Sequence, residues 1–216
     1  MESPLLHVLN RGVEKRAIVL DDKDRLRFIH NLYIFNDEHP APNYILPERH
    51  KEFTRKLLVH IHAFCLMDNH YHLLISEVAD RGVSRFTHKF NMGYAKYFNE
   101  RYARSGVLWQ GATKKIPIAR EAHFMYIPYY IHLNPLDFKY PEWREGRVRN
   151  PAEALEYLRA YRWSSHLDYS GVRNFPSIIQ KNLLTDVLGK ITRYEKEIRE
   201  IITTPDIAGE SERIEN

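Results

Sequence analysis

The chain has one cysteine, Cys65, in 216 residues, so an intramolecular disulfide is excluded. This places it outside the disulfide-stapled secreted class and fits a reducing cytoplasm. It also lacks any apolar run near the ~20 residues that a bilayer-spanning helix needs. The N-terminal stretch carries an early acid and no continuous apolar segment, so we expect neither a membrane span nor a signal peptide. Length and an apolar content of 44% instead predict one globular domain, with at most an appendage.

Positive charge is concentrated in one part of the chain. Nine Lys and Arg residues lie between Arg81 and Arg120, where Glu100 is the only acid, so this segment carries a net charge of +8. Because the whole chain carries only +4, the remainder is acidic overall. Clustered positive charge is typical of proteins that bind a polyanion such as nucleic acid, although a solvated basic helix would give the same pattern.

Apolar periodicity predicts alternating strands and helices. The expected elements are a strand from Leu5 to Asn10, a helix from Asp22 to Asn36, two strands joined by a hairpin at Asp68-Asn69, a long helix that ends at Gly106, a short strand within 107–119, and a helix from Arg120 to Leu133. The proline-rich segment 40–48 is expected to be a loop. The order β-α-β-β-α-β, followed by one more helix, is the ferredoxin-like pattern. We therefore expect an α+β fold, with an antiparallel sheet, helices on one face, and a C-terminal helical extension.

Two histidines lie one residue apart in the stretch MDNHYHLLI, at the start of the strand that follows the hairpin. Residues i and i+2 of a strand point to the same face, so His70 and His72 could converge on one metal ion. His60 and His62 could do the same on the neighbouring strand, and the pattern leaves both pairs open. Either pair would need a third ligand from another element.

The last turn of the helix before Asn134-Pro135 offers such a ligand. Tyr130 and Asn134 are four residues apart, so a phenol and an amide oxygen would project from the same face of the helix. The amide could bind the metal ion, and the phenol could attack a phosphate that the ion polarises. A tyrosine in the core and an asparagine that caps the helix would explain the same spacing. Pro128 is expected to kink the helix or to restart it.

The stretch MDNHYHLLI followed by YIHLNP resembles the single-tyrosine HUH transposases, and most of all their branch of REP-associated tyrosine transposases. The segments HVLNRGVEKRAIVLDDKDRLRFI, LWQGATKKIPI and YRWSSHLDYSG are similar to segments of that branch and occur in the same order. A His-x-His pair alone is weak evidence in a chain with 12 histidines. An ordered set of motifs from about Leu5 to Gly171 is far more specific.

The resemblance implies a role for each residue of the two motifs. His70 and His72 would be the paired metal ligands, Asn134 the third ligand, and Tyr130 the nucleophile. The family uses Mg²⁺ or Mn²⁺ and cuts single-stranded DNA near a hairpin. It stays joined to the 5′-phosphate through tyrosine and releases a 3′-OH. Because imidazole is an unusual ligand for Mg²⁺, Mn²⁺ or even Zn²⁺ is also open.

On this interpretation, residues 1–138 form the catalytic domain and 139–216 form a helical extension that is disordered from about residue 205. The resemblance to the REP-associated branch implies a monomer with such an extension, so a monomer is favoured over a homodimer. We expect a cytoplasmic protein whose partner is single-stranded or hairpin DNA. The residues expected to bind DNA phosphates or to stack on bases are Arg11, Arg85, Lys89, Trp109, Lys114 and Lys115.

Two other functions fit the same residues. The first is a DNA-hairpin-binding protein on the same fold without catalysis. The second is a metal-dependent hydrolase with no DNA role, which would use His60, His62, His70 and His72. Tyr126, one helical turn before Tyr130, is an alternative phenol.

Overall fold

The computed structural model describes residues 4–40 and 54–205. Its strands and helices are β1 (Leu5–Arg11), α1 (Asp22–Ile34), β2 (Val59–Leu66), β3 (His70–Glu77), α2 (Gly82–Arg101), β4 (Lys114–Pro117), α3 (Glu121–Leu133), α4 (Pro151–Ala160), α5 (His166–Tyr169), α6 (Asn182–Leu188) and α7 (Ile191–Thr203). Short 3₁₀ segments span Val13–Lys15, Asn134–Phe138 and Pro141–Glu145. The predicted disordered tail and nearly all of the predicted proline-rich loop lie outside the described residues.

The described strands form one four-stranded sheet in the order β2-β3-β1-β4. Every neighbouring pair is antiparallel. The amide of Met67 donates to the carbonyl of His70 at 2.8 Å and closes the β2–β3 hairpin around Asp68-Asn69, as predicted. This strand order, together with the chain order β1-α1-β2-β3-α2-β4, confirms the ferredoxin-like fold.

The two faces of the sheet carry different cores, because side chains alternate along each strand. Tyr71, Leu73 and Ile75 of β3 join the core that includes α1 and α2, whereas Leu74 joins the core that includes α3 and the C-terminal helices. The two helices of the βαββαβ unit therefore lie on one face of the sheet, and α3 covers the other. His72 has the same parity as Leu74 and so belongs to the α3 face.

The long helix α2 ends at Arg101, five residues before the predicted stop at Gly106. Arg101 forms ion pairs with Asp21 and Asp24 at the start of α1, which ties the last turn of α2 to that helix. Ala103 then takes a left-handed conformation with φ of 49°. The prediction of Gly106 as the helix end was wrong because a tertiary ion pair, and not the glycine, sets the boundary.

Helix α3 runs without interruption from Glu121 to Leu133 and contains Pro128. The expectation that the helix would restart near this proline is therefore wrong. Pro128 is buried together with the five residues that follow it, so tertiary packing holds the helix where one backbone donor is absent. Tyr130 accordingly lies in regular helix, one turn before Asn134.

The C-terminal extension packs on α3. Trp143, Leu155, Leu158, Ile198 and Ile202 are buried in the same core as Ile127 and Ile131. The extension therefore forms the outer layer over the helix that carries Tyr130. No helix in the ranges 4–40 and 54–205 is both long enough and apolar enough to cross a membrane.

Candidate active site

His70 begins β3 and is oriented by the residue before it. Its Nδ1 lies 2.6 Å from Oδ1 of Asn69, while the Asn69 amide group donates to the carbonyl of Lys15 at 3.2 Å. Because an amide oxygen only accepts, His70 carries its proton on Nδ1 and its lone pair on Nε2. Its ring lies 4.9 Å from the ring of His72, centroid to centroid, so the i,i+2 spacing brings the two imidazoles together as predicted.

His72 is fully buried and pairs with a residue that sequence reasoning missed. Its Nδ1 shares a 2.9 Å hydrogen bond with Nε2 of His7 in β1, and the two rings stack with centroids 5.1 Å apart. Within the described residues, neither Nε2 of His72 nor Nδ1 of His7 has a hydrogen-bond partner, although both atoms are buried. A buried nitrogen without a partner is rare in a folded protein and indicates a place for a ligand.

Burial also keeps these imidazoles neutral. Desolvation, aided by the nearby His70, His7, Arg144 and Arg11, lowers the pKa of His72 well below 6.5. Desolvation and the neighbouring His123 lower the pKa of His7 to about 3. Since a neutral imidazole is the form that binds a metal ion, His72 offers a lone pair at any physiological pH.

Helix α3 places Tyr130 against this histidine cluster, and Asn134 follows one turn later on the same helix. The Tyr130 ring lies 5.6 Å from the His72 ring and 6.0 Å from the His7 ring, edge-on to both. Asn134 donates from Nδ2 to the carbonyl of Tyr130 at 2.8 Å. It therefore caps the end of α3, which was the alternative explanation of the Tyr130–Asn134 spacing. Its Oδ1 remains an acceptor, as a metal ligand requires. Tyr130 and Asn134 both have no solvent exposure.

Arg144 is a second residue that sequence reasoning missed. It lies in the 3₁₀ segment Pro141–Glu145, where its guanidinium is 3.3 Å from Oδ1 of Asn134 and 3.5 Å from the hydroxyl of Tyr130. Asp137 holds the same guanidinium at 2.7 Å and 3.0 Å. No local spacing links Arg144 to Tyr130, because the chain between them turns through two 3₁₀ segments.

The second histidine pair lies elsewhere. His60 is opposite Ser76, whereas His72 is opposite Cys65, so the pairs are several residues apart along the sheet. The nitrogens of His62 contact the carbonyl of Gln180 at 3.2 Å and the hydroxyl of Ser76 at 2.8 Å. The structure does not assemble the four-histidine site of the hydrolase alternative. Among the described residues, no group of three or more His, Cys, Asp or Glu side chains could hold a metal ion.

The residues that could hold a divalent ion are therefore two imidazoles and one amide. His70 and His72 present Nε2 lone pairs from adjacent positions of one strand face, and Asn134 presents Oδ1 from the end of α3. A carbonyl oxygen has two lone pairs, so Asn134 can accept from Arg144 and still bind an ion. The orphaned Nε2 of His72 fits such an ion.

Two of the predicted DNA-binding residues lie beside this site. Arg11, Lys114 and His70 line a cavity of about 410 Å³, together with Gln110 and Gly111. A basic cavity next to His70 suits a phosphate or an unpaired nucleotide.

The other predicted DNA-binding residues make internal contacts. Arg85 pairs with Glu38, and Lys89 donates to the carbonyls of Asp37 and His39. Lys115 donates to Ser84, and Trp109 donates to the carbonyl of Asn91 while it packs on Tyr71 and Tyr94. The structure does not bring these four residues to the histidine cluster, and a role in DNA contact stays a prediction.

Comparison with known proteins agrees with this geometry. Residues 34–134 match the sequence model of a family described as "Transposase IS200 like", a range that contains His70, His72, Tyr130 and Asn134. No curated protein matches the chain in sequence. A solved structure of a REP-associated tyrosine transposase bound to a REP hairpin covers 85% of this chain and 88% of its own, with a TM-score of 0.51 and 13% identity. At that identity the likeness shows the fold. The family match over residues 34–134 supports the resemblance drawn from the motifs.

Proposed function

Because residues 34–134 match the IS200-like transposases, we propose that the chain is a single-stranded DNA nickase and strand transferase that acts beside DNA hairpins. One observation carries this proposal. Tyr130 lies against His72, whose Nε2 is buried without a partner among the described residues, and Asn134 follows one turn later. A phenol beside two metal-ligand imidazoles and an amide is the set that a metal-assisted tyrosine nucleophile needs.

His70, His72 and Asn134 would hold a divalent ion. When bound, the ion neutralises the charge of a phosphodiester and stabilises the charge that develops in the transition state. Two imidazole ligands favour Mn²⁺ over Mg²⁺, because Mg²⁺ prefers oxygen ligands. The protein's own contribution is to keep the imidazoles neutral by burial and to fix their rings through Asn69 and His7.

Tyr130 would carry the covalent step. Its oxygen attacks the phosphorus, the bond to the 3′-oxygen breaks, and the departing oxygen takes a proton from water and becomes a free 3′-OH. The 5′-phosphate stays on Tyr130, so the energy of the broken bond is retained. A second 3′-OH can then attack the phosphotyrosine and join strands without an external energy source.

The cavity beside His70 supports a path for the DNA strand. Arg11 and Lys114 would contact phosphates there, and Arg85, Lys89, Lys115 and Trp109 would extend the contact outward. The extension of the same chain supplies Arg144 to Tyr130, which supports a monomer whose site is complete. A cytoplasmic location, where both DNA and divalent ions are present, belongs to the same proposal.

A non-catalytic hairpin-binding protein is the second candidate. The observation that favours it is the complete burial of Tyr130. A nucleophile must reach its phosphate, so catalysis requires that the bound strand or a movement of the covering segment exposes the phenol. A protein that only binds DNA has no such requirement.

A denaturing gel separates the two candidates. Labelled single-stranded oligonucleotides tiled from the DNA around the gene are incubated with the protein and Mn²⁺. A nickase gives a covalent protein–DNA band that depends on the metal and disappears in Tyr130→Phe. Tyr126→Phe, one turn earlier on the same helix, is the matched control and should keep the band. A salt-sensitive mobility shift without any covalent band would favour the binding protein, and a band that persists in Tyr130→Phe would refute Tyr130 as nucleophile.

A further inference from the structure

Arg144 is held at the site by a rigid carboxylate anchor. Asp137 accepts from Nε of Arg144 at 3.0 Å, from Nη2 at 2.7 Å, and from the indole of the fully buried Trp143 at 2.7 Å. The guanidinium carbon lies 5.3 Å from the centre of the Tyr130 ring and 4.9 Å from that of Trp143. The head group therefore has a fixed position and orientation beside the phenol.

Arg144 also keeps its positive charge although its side chain is partly buried. Burial acts against its charge, but the hydrogen bonds and charge of Asp137 and the proximity of Tyr130 outweigh burial and raise the arginine pKa. Its side chain is 27% exposed, so the residue lies at the edge of the solvent-accessible surface. A planar guanidinium group that is always charged is well suited to donate hydrogen bonds to a phosphate.

We propose that Arg144 is a catalytic residue that stabilises the ionised Tyr130 oxygen and the charge on the scissile phosphate. The inference rests on the proposed nickase function. In the step concerned, the phenol proton leaves to solvent, the Tyr130 oxygen bonds to phosphorus, and the bond from phosphorus to the 3′-oxygen breaks. Arg144 keeps its proton throughout and acts by charge alone. The helical extension would thus complete the active site from outside the segment that matches the transposase family.

A structural role for Arg144 is the competing explanation. The Asp137 pair joins the segments Asn134–Phe138 and Pro141–Glu145, so its loss could simply loosen the turn that covers α3. The two roles differ in their response to lysine and in their effect on folding. Lysine keeps a positive charge beside the phenol and can restore catalysis, whereas structural damage lowers the melting temperature of the protein.

The experiment measures single-turnover formation of the covalent adduct at pH 7 in the full chain with Mn²⁺. Arg144→Gln should slow the reaction by about 100-fold, as does loss of one preorganised charge donor elsewhere. Arg144→Lys should recover part of the rate. Arg147→Gln, which removes an exposed arginine that pairs with Glu145, is the matched control and should match the parent.

Two further readouts keep the test decisive. Oligonucleotide affinity should change little in Arg144→Gln, and Mn²⁺ affinity by calorimetry should be unchanged or tighter, because a cation next to Asn134 is removed. An Arg144→Gln rate within twofold of the parent overturns the proposal. So does a loss that is not restored by lysine and comes with a lower melting temperature. If the parent chain forms no adduct, the nickase function and the Arg144 role fail together; an adduct unaffected by Arg144→Gln refutes only the latter.

Discussion

Two buried histidine clusters involve helix α3 and differ in one respect. In the first, His7 and His72 pair with each other near Tyr130, and each keeps one buried nitrogen that finds no partner among residues 4–40 and 54–205. In the second, His132 contacts Ser165 through Nε2 and Tyr194 through Nδ1, both at 2.7 Å. Tyr194 in turn contacts His166 at 2.8 Å.

Burial alone does not distinguish these clusters. His7, His72, His132 and His166 are all nearly inaccessible, and desolvation lowers the pKa of each. Hydrogen-bond saturation does distinguish them, since a buried polar group without a partner costs free energy that a ligand can recover. The saturated cluster of His132 locks the extension to α3, and the unsaturated cluster of His7 and His72 is where the proposed function places a divalent ion.

His72→Leu should abolish metal-dependent adduct formation, at least about 100-fold, because it removes a ligand and not only a supporting contact. The metal-free protein should lose only about 1–2 kcal/mol, because the change removes one hydrogen bond, to His7, and a second nitrogen that has no partner in the described structure. The adduct gel and urea unfolding without metal measure the two effects. A large loss of metal-free stability would mean that His72 is saturated in the folded protein and that the contrast is mistaken.

His132→Phe should have the opposite profile. It removes two hydrogen bonds from fully buried partners, Ser165 and Tyr194, so we expect a loss of about 2–4 kcal/mol in the free energy of unfolding. Mn²⁺ affinity of the remaining folded protein should be unchanged. Urea unfolding and calorimetry measure these quantities. A variant that loses metal affinity but no stability would reverse the roles assigned to the two clusters.

His7→Phe should weaken Mn²⁺ binding by about 10- to 100-fold, because His72 must donate from Nδ1 in order to present Nε2 to an ion. His7 supplies the acceptor at 2.9 Å. His7→Gln, which can still accept through its side-chain oxygen, is the control and should bind more tightly than His7→Phe. Calorimetric titration with Mn²⁺ measures the affinity, and equal affinities of the parent and His7→Phe would show that His7 does not orient His72.

Acid should destabilise both clusters alike. Desolvation, together with the charge of Arg159, lowers the pKa of His166 from 6.5 to about 4, so the unfolded chain binds a proton more readily than the folded one. Stability is therefore complete above pH 6.5 and falls as pH drops toward 4, by at most about 1.4 kcal/mol per pH unit for each such histidine. Urea unfolding at pH 7, 6 and 5 measures the slope, which His166→Phe should reduce. A flat profile would contradict the neutral buried state.

Local spacing predicted the elements of the fold well. The period-2 pattern of LLHVLN and HYHLLIS, the Asp68-Asn69 turn and the helical periods of α1 to α3 each depend on neighbours in sequence. Local spacing did not predict the extent of a helix where contacts between residues far apart in the chain determine it. Arg101 ends α2 through carboxylates of α1 that are far away in the chain, and buried packing carries α3 through Pro128.

The candidate site shows the same division. His70 with His72, and Tyr130 with Asn134, are pairs whose common face follows from i,i+2 and i,i+4 spacing. His7 had a weak signal, since it is a polar residue of β1 on the same face as the apolar Leu5 and Leu9. Arg144 had none, because its partners lie across two 3₁₀ segments.

Local sequence patterns predict which residues can share a face, where the chain turns, and which side chains could bind a metal ion or attack a phosphate. Which of these residues meet depends on strand order and on the packing of distant segments. The β2-β3-β1-β4 order sets His7 beside His72, and the packing of the extension on α3 sets Arg144 beside Tyr130. Whether a buried histidine is saturated depends on such partners, and a hydrogen bond between residues far apart in the chain exists only once strand order and register are set.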